Sequence, residues 1–228
     1  MSISKPNGNL GVLIPGVGAV ASTFIVGVEA IKKGIAEPIG SMTQMGTMRL
    51  GKRTENRVPL IKDFVPLASL KDLVFTGWDI NQENLFDISV RTGVLEESLL
   101  NHLKTDLKKI NVLKAVFDKK FVRRLSGDWV KTGKNKMDLA KQVEIDIQNF
   151  NKTNNIKSNI MIWCGSTEIF LEPSEVHSSL SKFEEGLINN DPKISPSMIY
   201  AYSALKMGIP FANGSPNLSV DIPALEQL

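Results

Sequence analysis

Short apolar runs alternate along the chain with segments in which apolar residues recur every three or four positions. Leu10, Val12, Leu13 and Ile14 form the first run. A turn at Gly16 and Gly18 follows, and Val20, Phe24, Val28 and Ile31 then mark one face of a helix. Lys32 and Lys33 give that helix a basic last turn, and Gly34 stops it. Residues 36–57 show no clean period. A connection of that length is uncommon unless it serves as a binding loop, a lid or a surface excursion.

A second apolar run over residues 73–76 enters Gly77, Trp78, Asp79 and Ile80 and reads as a strand ending in a turn. Residues 81–108 predict two helices, the second over 96–108. Next come a strand over 112–117, a basic loop over 118–136 and an amphipathic helix over 137–151, with Leu139, Val143, Ile147 and Phe150 near one face. Ile160, Met161, Ile162 and Trp163 run without alternation, as central parallel strands do. A turn at 165–168 follows. Residues 174–189 read as a helix with Ser174 at its N-cap, 196–207 as another stopped by Gly208, and 210–212 as a last short strand. Residues 222–228 start a further helix with no cap, glycine or polar tail, so the sequence reads as cut inside an element.

Strands alternating with helices predict an α/β, Rossmann-like fold: a mainly parallel, doubly wound sheet with right-handed crossovers. Ligands of such sheets sit beyond the carboxyl ends of the strands. The turns at 16–19, 77–80, 164–168 and 213–216 all fall there. Gly16-x-Gly18-x-x-Ala21 matches the looser dinucleotide-binding pattern. Its glycines would tighten the turn and admit a pyrophosphate, while the first N–H groups of the helix and its dipole face the anion. A tight strand-to-helix turn without a ligand shows the same pattern, so the motif leaves both readings open.

Composition narrows the classes. With 228 residues, one large domain or two small ones are possible. An apolar content of 42% and a charged content of 22% describe a globular protein, and a net charge of +3 is too small to point to nucleic acid. Cys164 is the single cysteine, so no intrachain disulfide forms. The polar opening MSISKPNGN has no hydrophobic signal segment, and a cytoplasmic protein is expected. Pro15, the turn glycines and Glu29 interrupt residues 10–31, which argues against a membrane span. The sequence shows no HExxH, cysteine pair or aspartate cluster, and no metal site is expected. His102 and His177 fall on predicted helices away from strand ends, so Cys164 reads as an inert buried thiol rather than a nucleophile. The cations of the basic loop, among them Lys119, Lys120, Arg123, Arg124, Lys131, Lys134 and Lys136, read as a solvated, mobile segment, with a phosphate site as the alternative.

Five blocks occur in order: GVGAVAST at 16–23, GSMTQMGTMRLG at 40–51, FTGWDI at 75–80, WCGSTE at 163–168 and FANGSPN at 211–217. In these the chain resembles the N-terminal, NAD-binding part of the inositol-3-phosphate synthase (myo-inositol-1-phosphate synthase) family. The similarity spans nearly all of the chain but only about the first half of the usual family length. It implies that residues 1–228 are an incomplete NAD-binding Rossmann-like domain, joined in the family to a second domain for catalysis and tetramer assembly. The implied reaction is a redox-neutral cyclisation of glucose 6-phosphate to inositol 3-phosphate, with oxidation at C5, loss of a C6 proton, attack of the enolate on C1, and final reduction. The family's catalytic lysines lie downstream of NGSP. They are expected beyond Leu228, so no catalytic residue is assigned here and the piece alone should bind NAD weakly and catalyse nothing.

The resemblance also assigns cofactor contacts residue by residue. Gly16, Val17, Gly18, Ala19 and Val20 match the pyrophosphate turn, and Asp79 the acid on the ribose. Ala115 and Val116 match contacts near the adenine. Cys164, Gly165, Ser166 and Thr167 occupy a stretch along NAD, and Gly214 and Ser215 a loop near the nicotinamide. Many members carry asparagines where Ala19 and Val20 stand. Many have Thr-Ala-Asn-Thr at 164–167, of which only Thr167 matches. Asp79 has a second reading, as the cap of a helix starting near Asn81. Trp78 reads as packing rather than as a stacking platform. Ser41, Thr43, Gln44 and Arg49 lie in a shared block whose role the sequence leaves open between substrate-side packing and a subunit contact. Two other classes stay open: a non-catalytic nucleotide-binding or regulatory module that pairs with another chain, and a generic NAD-dependent oxidoreductase.

Overall fold

Strand β1 (Asn9–Pro15) is buried on both sides, and the rest of the sheet is laid out from it. Val12 and Ile14 point to one face and Leu13 to the other, each 3% exposed or less. Such a strand must be central. The computed structural model describes residues 7–228; the opening residues 1–6, on which the expectation about a signal segment partly falls, lie outside the described residues. After β1 come helix α1 (Ala19–Lys32), the short helices α2 (Met42–Met45) and α3 (Ile61–Phe64), then β2 (Leu73–Asp79), α4 (Leu85–Thr92), α5 (Glu97–Leu107) and β3 (Leu113–Lys114). The second half contributes α6 (Lys136–Asn154), β4 (Ile156–Trp163), α7 (Leu180–Ile188), α8 (Pro196–Lys206) and β5 (Phe211–Asn213).

The five strands are all parallel, in the order β3-β2-β1-β4-β5. The chain winds outward from β1 through β2 to β3, then returns to β1's other side. The two windings diverge between β1 and β4, which is where a doubly wound sheet opens a crevice. Helices α1, α4 and α5 cover one face, with Ile25, Val26, Leu85, Ile88, Leu100 and Leu103 packed on Val12 and Ile14 in one apolar cluster. Helices α6, α7 and α8 cover the other, where Val143, Ile147, Phe183 and Met198 join Leu13, Trp78 and Met161. No described helix is long and apolar enough to cross a membrane.

Several elements depart from the sequence reading. The strand expected over 112–117 holds only Leu113 and Lys114 in the ladder. Beyond them the Ala115 N–H turns to the Trp129 carbonyl, and the Ala115 carbonyl accepts from Lys131 N–H. The helix expected over 174–189 breaks in two. Ser174 caps a short 3-10 turn whose His177 Nδ1 accepts the Ser174 N–H at 3.0 Å, and Ser179 then starts α7 by accepting from Lys182 N–H. Residues 222–228 form a turn, with Ile222, Ala224 and Leu225 in the core. Ile160 and Ile162 are only half-buried, because the α1-side layer covers β1 and β2 more fully than β4.

The basic loop is not uniformly solvated either. Lys131 keeps only 7% of its side chain exposed and pairs with Asp146 of α6 at 2.7 Å. Lys136 Nζ donates to the Asp191 and Ile194 carbonyls, both at 2.6 Å. The Asp146 carboxylate also accepts the indole N–H of Trp78 at 2.7 Å, so one acid on α6 fixes β2 and the loop together. Replacing it strands a buried ammonium and a buried indole donor. Asp146→Ala is expected to lower unfolding stability by roughly 3–5 kcal/mol. Adding Lys131→Met should restore part of the loss, as read from denaturant midpoints in a double-mutant cycle.

Candidate functional site

The carboxyl ends of β1, β2 and β4 are tied edge to edge before the chain turns away. Gly16 N–H donates to the Trp78 carbonyl and Cys164 N–H to the Pro15 carbonyl, both at 2.9 Å. Gly16 sits at φ +87°, and a Cβ there would overlap the backbone of Gly165. Only glycine lets the two turns pass this closely. Gly18 comes next, with no atom within 4 Å of where a Cβ would be, so it faces open space.

Gly18 is the N-cap of α1 and offers no side-chain acceptor, and no acid stands in the first turn. The bond that opens the helical ladder is Ser22 N–H to the Gly18 carbonyl. The N–H groups of Ala19, Val20 and Ala21 therefore have no acceptor inside the helix. The side chains of Ala19 and Val20 point to solvent, Val20 being 72% exposed, while Val17 turns into the core. No side-chain amide stands at 19 or 20, so the donors of this turn are backbone groups alone. An uncapped, acid-free helix start behind a glycine turn is a ready anion cradle.

A cleft of about 230 Å³ opens in front of this turn. Of the residues named from the sequence, Gly16, Gly18, Asp79, Ala115, Val116, Cys164, Gly165 and Ser166 line it. Val17, Ala19, Val20, Thr167, Gly214 and Ser215 do not. Thr167 faces a neighbouring recess with Arg123 and Arg124. Gly214 and Ser215 border the cleft's rim, the Gly214 N–H on the Trp163 carbonyl and the Ser215 hydroxyl on the Gly165 carbonyl, both at 2.9 Å.

Asp79 ends β2 at the cleft wall and accepts the Asn81 N–H at 3.3 Å. No helix starts at Asn81, since α4 begins at Leu85 with Asn84 as its cap. Burial pushes the Asp79 carboxyl above its usual range, opposed by the N–H groups of Asn81 and Ile80 and by Arg91. Cys164 is half-buried, and burial pushes its thiol up, away from the thiolate. Neither histidine reaches it: His102 lies on α5, and His177 is buried against Ser174 and the Lys193 carbonyl.

Sequence reasoning missed three side chains at the cleft. Arg91 of α4 lines it and grips Glu83 through Nε at 3.0 Å and Nη2 at 2.6 Å; nothing in the sequence around it marks it for the cleft. Tyr200 is 1% exposed, packs between Trp78 and Trp163 at ring distances of 5.3 and 5.8 Å, and accepts the Val116 N–H at 2.8 Å. Within an apolar helical run it carries no separate signal. Glu168, the last residue of the WCGSTE block, is 4% exposed.

Glu168 ties its own loop to two other segments. Its carboxylate accepts the Ser197 N–H at 2.9 Å and the Ser197 hydroxyl at 2.5 Å, both from the start of α8, and Asn217 Nδ2 at 3.2 Å from the segment after β5. Burial raises its pKa from an ordinary 4.5, opposed by the Ser197 and Ser195 bonds and by Lys136. Between the ordinary and the raised value the native state holds a proton that the unfolded chain has released. Its contribution to stability is therefore full below the unfolded value of 4.5 and is lost as pH rises through the folded value. Glu168→Ala orphans three donors and is expected to cost roughly 2–4 kcal/mol at pH 5. Glu168→Gln should abolish the fall in stability that this group adds as pH rises above 4.5, as read from denaturant midpoints over a pH series.

A family model for the NAD-binding part of myo-inositol-1-phosphate synthase matches residues 10–228. Inositol-3-phosphate synthase 1 of Bacteroides thetaiotaomicron is 43% identical over 98% of this chain and 52% of its own length. The Saccharomyces cerevisiae inositol-3-phosphate synthase is 28% identical over 100% of this chain and 47% of its own. The crystal structure of inositol-3-phosphate synthase from Caenorhabditis elegans superposes with a TM-score of 0.87 at 26% identity, over 96% of this chain and 46% of that one. The chain spans about half the length of the curated relatives it matches. With this sheet order, this glycine turn and this match, the chain belongs to the myo-inositol-1-phosphate synthase family and carries its NAD-binding domain.

Proposed function

We propose that this chain is the NAD-holding part of an inositol-3-phosphate synthase that converts glucose 6-phosphate to inositol 3-phosphate without net redox change. The observation that carries the reading is the α1 start: free N–H groups at 19–21, no cap, no acid, and Gly18 opening onto the cleft. In this arrangement the N–H groups of residues 19–21 bind the pyrophosphate, and Asp79 accepts ribose hydroxyls at the end of β2. Ala115 and Val116 bound the adenine side, and residues 164–167 with Gly214 and Ser215 flank the nicotinamide side. NAD supplies a transient acceptor for two electrons that return to the same substrate. The chain's own task is to hold that cofactor through every turnover, with Glu168 fixing the 163–168 loop and Tyr200 the adenine-side wall. The catalytic residues and a homotetramer belong to the full-length enzyme in this reading. A cytoplasmic setting agrees with the single, unpaired cysteine.

The cofactor reading is tested by titrating NAD+ into the 228-residue chain by calorimetry. Binding is expected, tighter than for NADP+, because Asp79 would repel a 2′-phosphate. Asp79→Ala should weaken NAD+ by roughly tenfold or more and narrow the preference over NADP+. Gly18→Asp should separate binding from folding. An aspartate at the N-cap suits the helix and leaves or raises the melting temperature, yet its carboxylate occupies the anion position and should suppress binding. NAD+ binding by Gly18→Asp equal to that of the parent would overturn the assignment. A chain joined to a relative's remaining half should convert glucose 6-phosphate with no NADH accumulating; steady NADH accumulation would point to a generic oxidoreductase instead.

A further inference from the structure

The connection between α1 and β2 behaves unlike the rest of the molecule. No residue between Ala30 and Phe75 is buried. From Glu37 to Leu67 every backbone hydrogen bond stays within the segment, including Met48 N–H to Pro59 O, Leu50 N–H to Arg57 O and Ile61 N–H to Gly46 O. Isolated antiparallel bridges, Thr47 with Leu60 and Leu50 with Arg57, hold it as a small hairpin-like arm, with α2 and α3 packed on each other. The arm packs on itself, and none of its apolar side chains joins either core cluster of the molecule. Ile39 is 82% exposed, Met42 76% and Phe64 52%, and Met45, Val58 and Leu67 are exposed as well. A two-stranded arm has marginal stability alone, and clustered exposed apolar groups of this size mark an interaction surface.

We infer that this arm is the docking surface for the part of the family polypeptide that lies outside this chain's match. The relatives are about twice as long as the chain, so the family architecture contains a comparable mass of protein to be seated on this half. The chain exposes 12830 Å², whereas a folded monomer of 25.1 kDa is expected to expose about 10,300 Å². The difference exceeds the roughly 800 Å² per partner of a standard interface. Charge favours a different polypeptide over a second copy. Residues 37–67 carry five Lys or Arg against three Asp or Glu, so two arms meeting face to face would bring like charges together. The apolar positions are interleaved with Arg49, Arg53 and Arg57, which suits a partner face that is apolar at its centre and acidic at its rim.

The test compares the 228-residue chain with the same chain continued by the remaining portion of the Bacteroides relative. Amide exchange across residues 39–64 should slow by about tenfold or more in the continued protein. Met42→Glu with Phe64→Glu should lower the melting temperature of the continued protein by several degrees and leave that of the 228-residue chain unchanged, because neither side chain is buried in it. Equal exchange over 39–64 in two folded proteins overturns the inference. So does an equal loss of melting temperature in both, which would place the arm on its own chain, and so does an added half that stays unfolded by exchange. Protection of the arm in the 228-residue chain that grows with its concentration would assign the surface to a second copy instead. Cofactor binding is not read at any step, so the outcome is independent of the NAD assignment.

Discussion

The crossing of backbone between Pro15, Gly16, Trp78 and Cys164 fixes most of what this chain can do. The carbonyls of Pro15 and Trp78 accept N–H groups from the turns beside them, which locks the ends of three neighbouring strands at one level. Gly16 makes this possible, because a side chain there would occupy the path of Gly165. Once the ends are level, α1 must start behind the β1 turn, and its unpaired N–H groups face the gap between the two windings of the sheet. The anion cradle is thus a consequence of strand packing. It needs no polar side chain, and none stands at Ala19 or Val20.

A second layer of constraint comes from single polar groups that serve several elements. Asp146 holds Trp78 and Lys131, Glu168 holds the start of α8 and the segment after β5, and the Tyr200 hydroxyl holds Val116. Each sits at or just behind the cleft wall. These groups convert a pair of apolar layers, which fix helices only loosely in rotation, into a wall with set positions. The rigid side of the molecule is therefore the cleft. The α1–β2 connection, bonded only to itself over much of its length, is the independent side.

The alternation of strands and helices was legible in the sequence because both faces of β1 had to be apolar, and because Gly34 and Gly208 stop their helices in plain view. The glycine turn and the GWDI and WCGSTE blocks placed Gly16, Gly18, Asp79 and the 164–166 stretch around one cleft. What escaped was set by tertiary partners. Residues 115 and 116 looked like strand, but Trp129 and Lys131 claim the backbone groups of Ala115. Lys131 and Lys136 looked like solvated surface, but an aspartate and two carbonyls far along the chain take them in. Tyr200 has the spacing of any core aromatic, and only the approach of Val116 gives its hydroxyl a purpose. The break between His177 and α7 turns on which of Ser174 and Ser179 caps the helix, a competition that local sequence cannot decide.

The Trp78–Tyr200–Trp163 contact has an optical consequence. Two of the chain's three tryptophans line the cleft and pack at a tilt against a tyrosine whose hydroxyl holds the Val116 N–H. Their emission reports on the space of the cleft itself, while Trp129 reports on the loop beyond β3. The molecule thus carries a native fluorophore pair at its cleft, and changes in that space can be followed by light without labelling the chain.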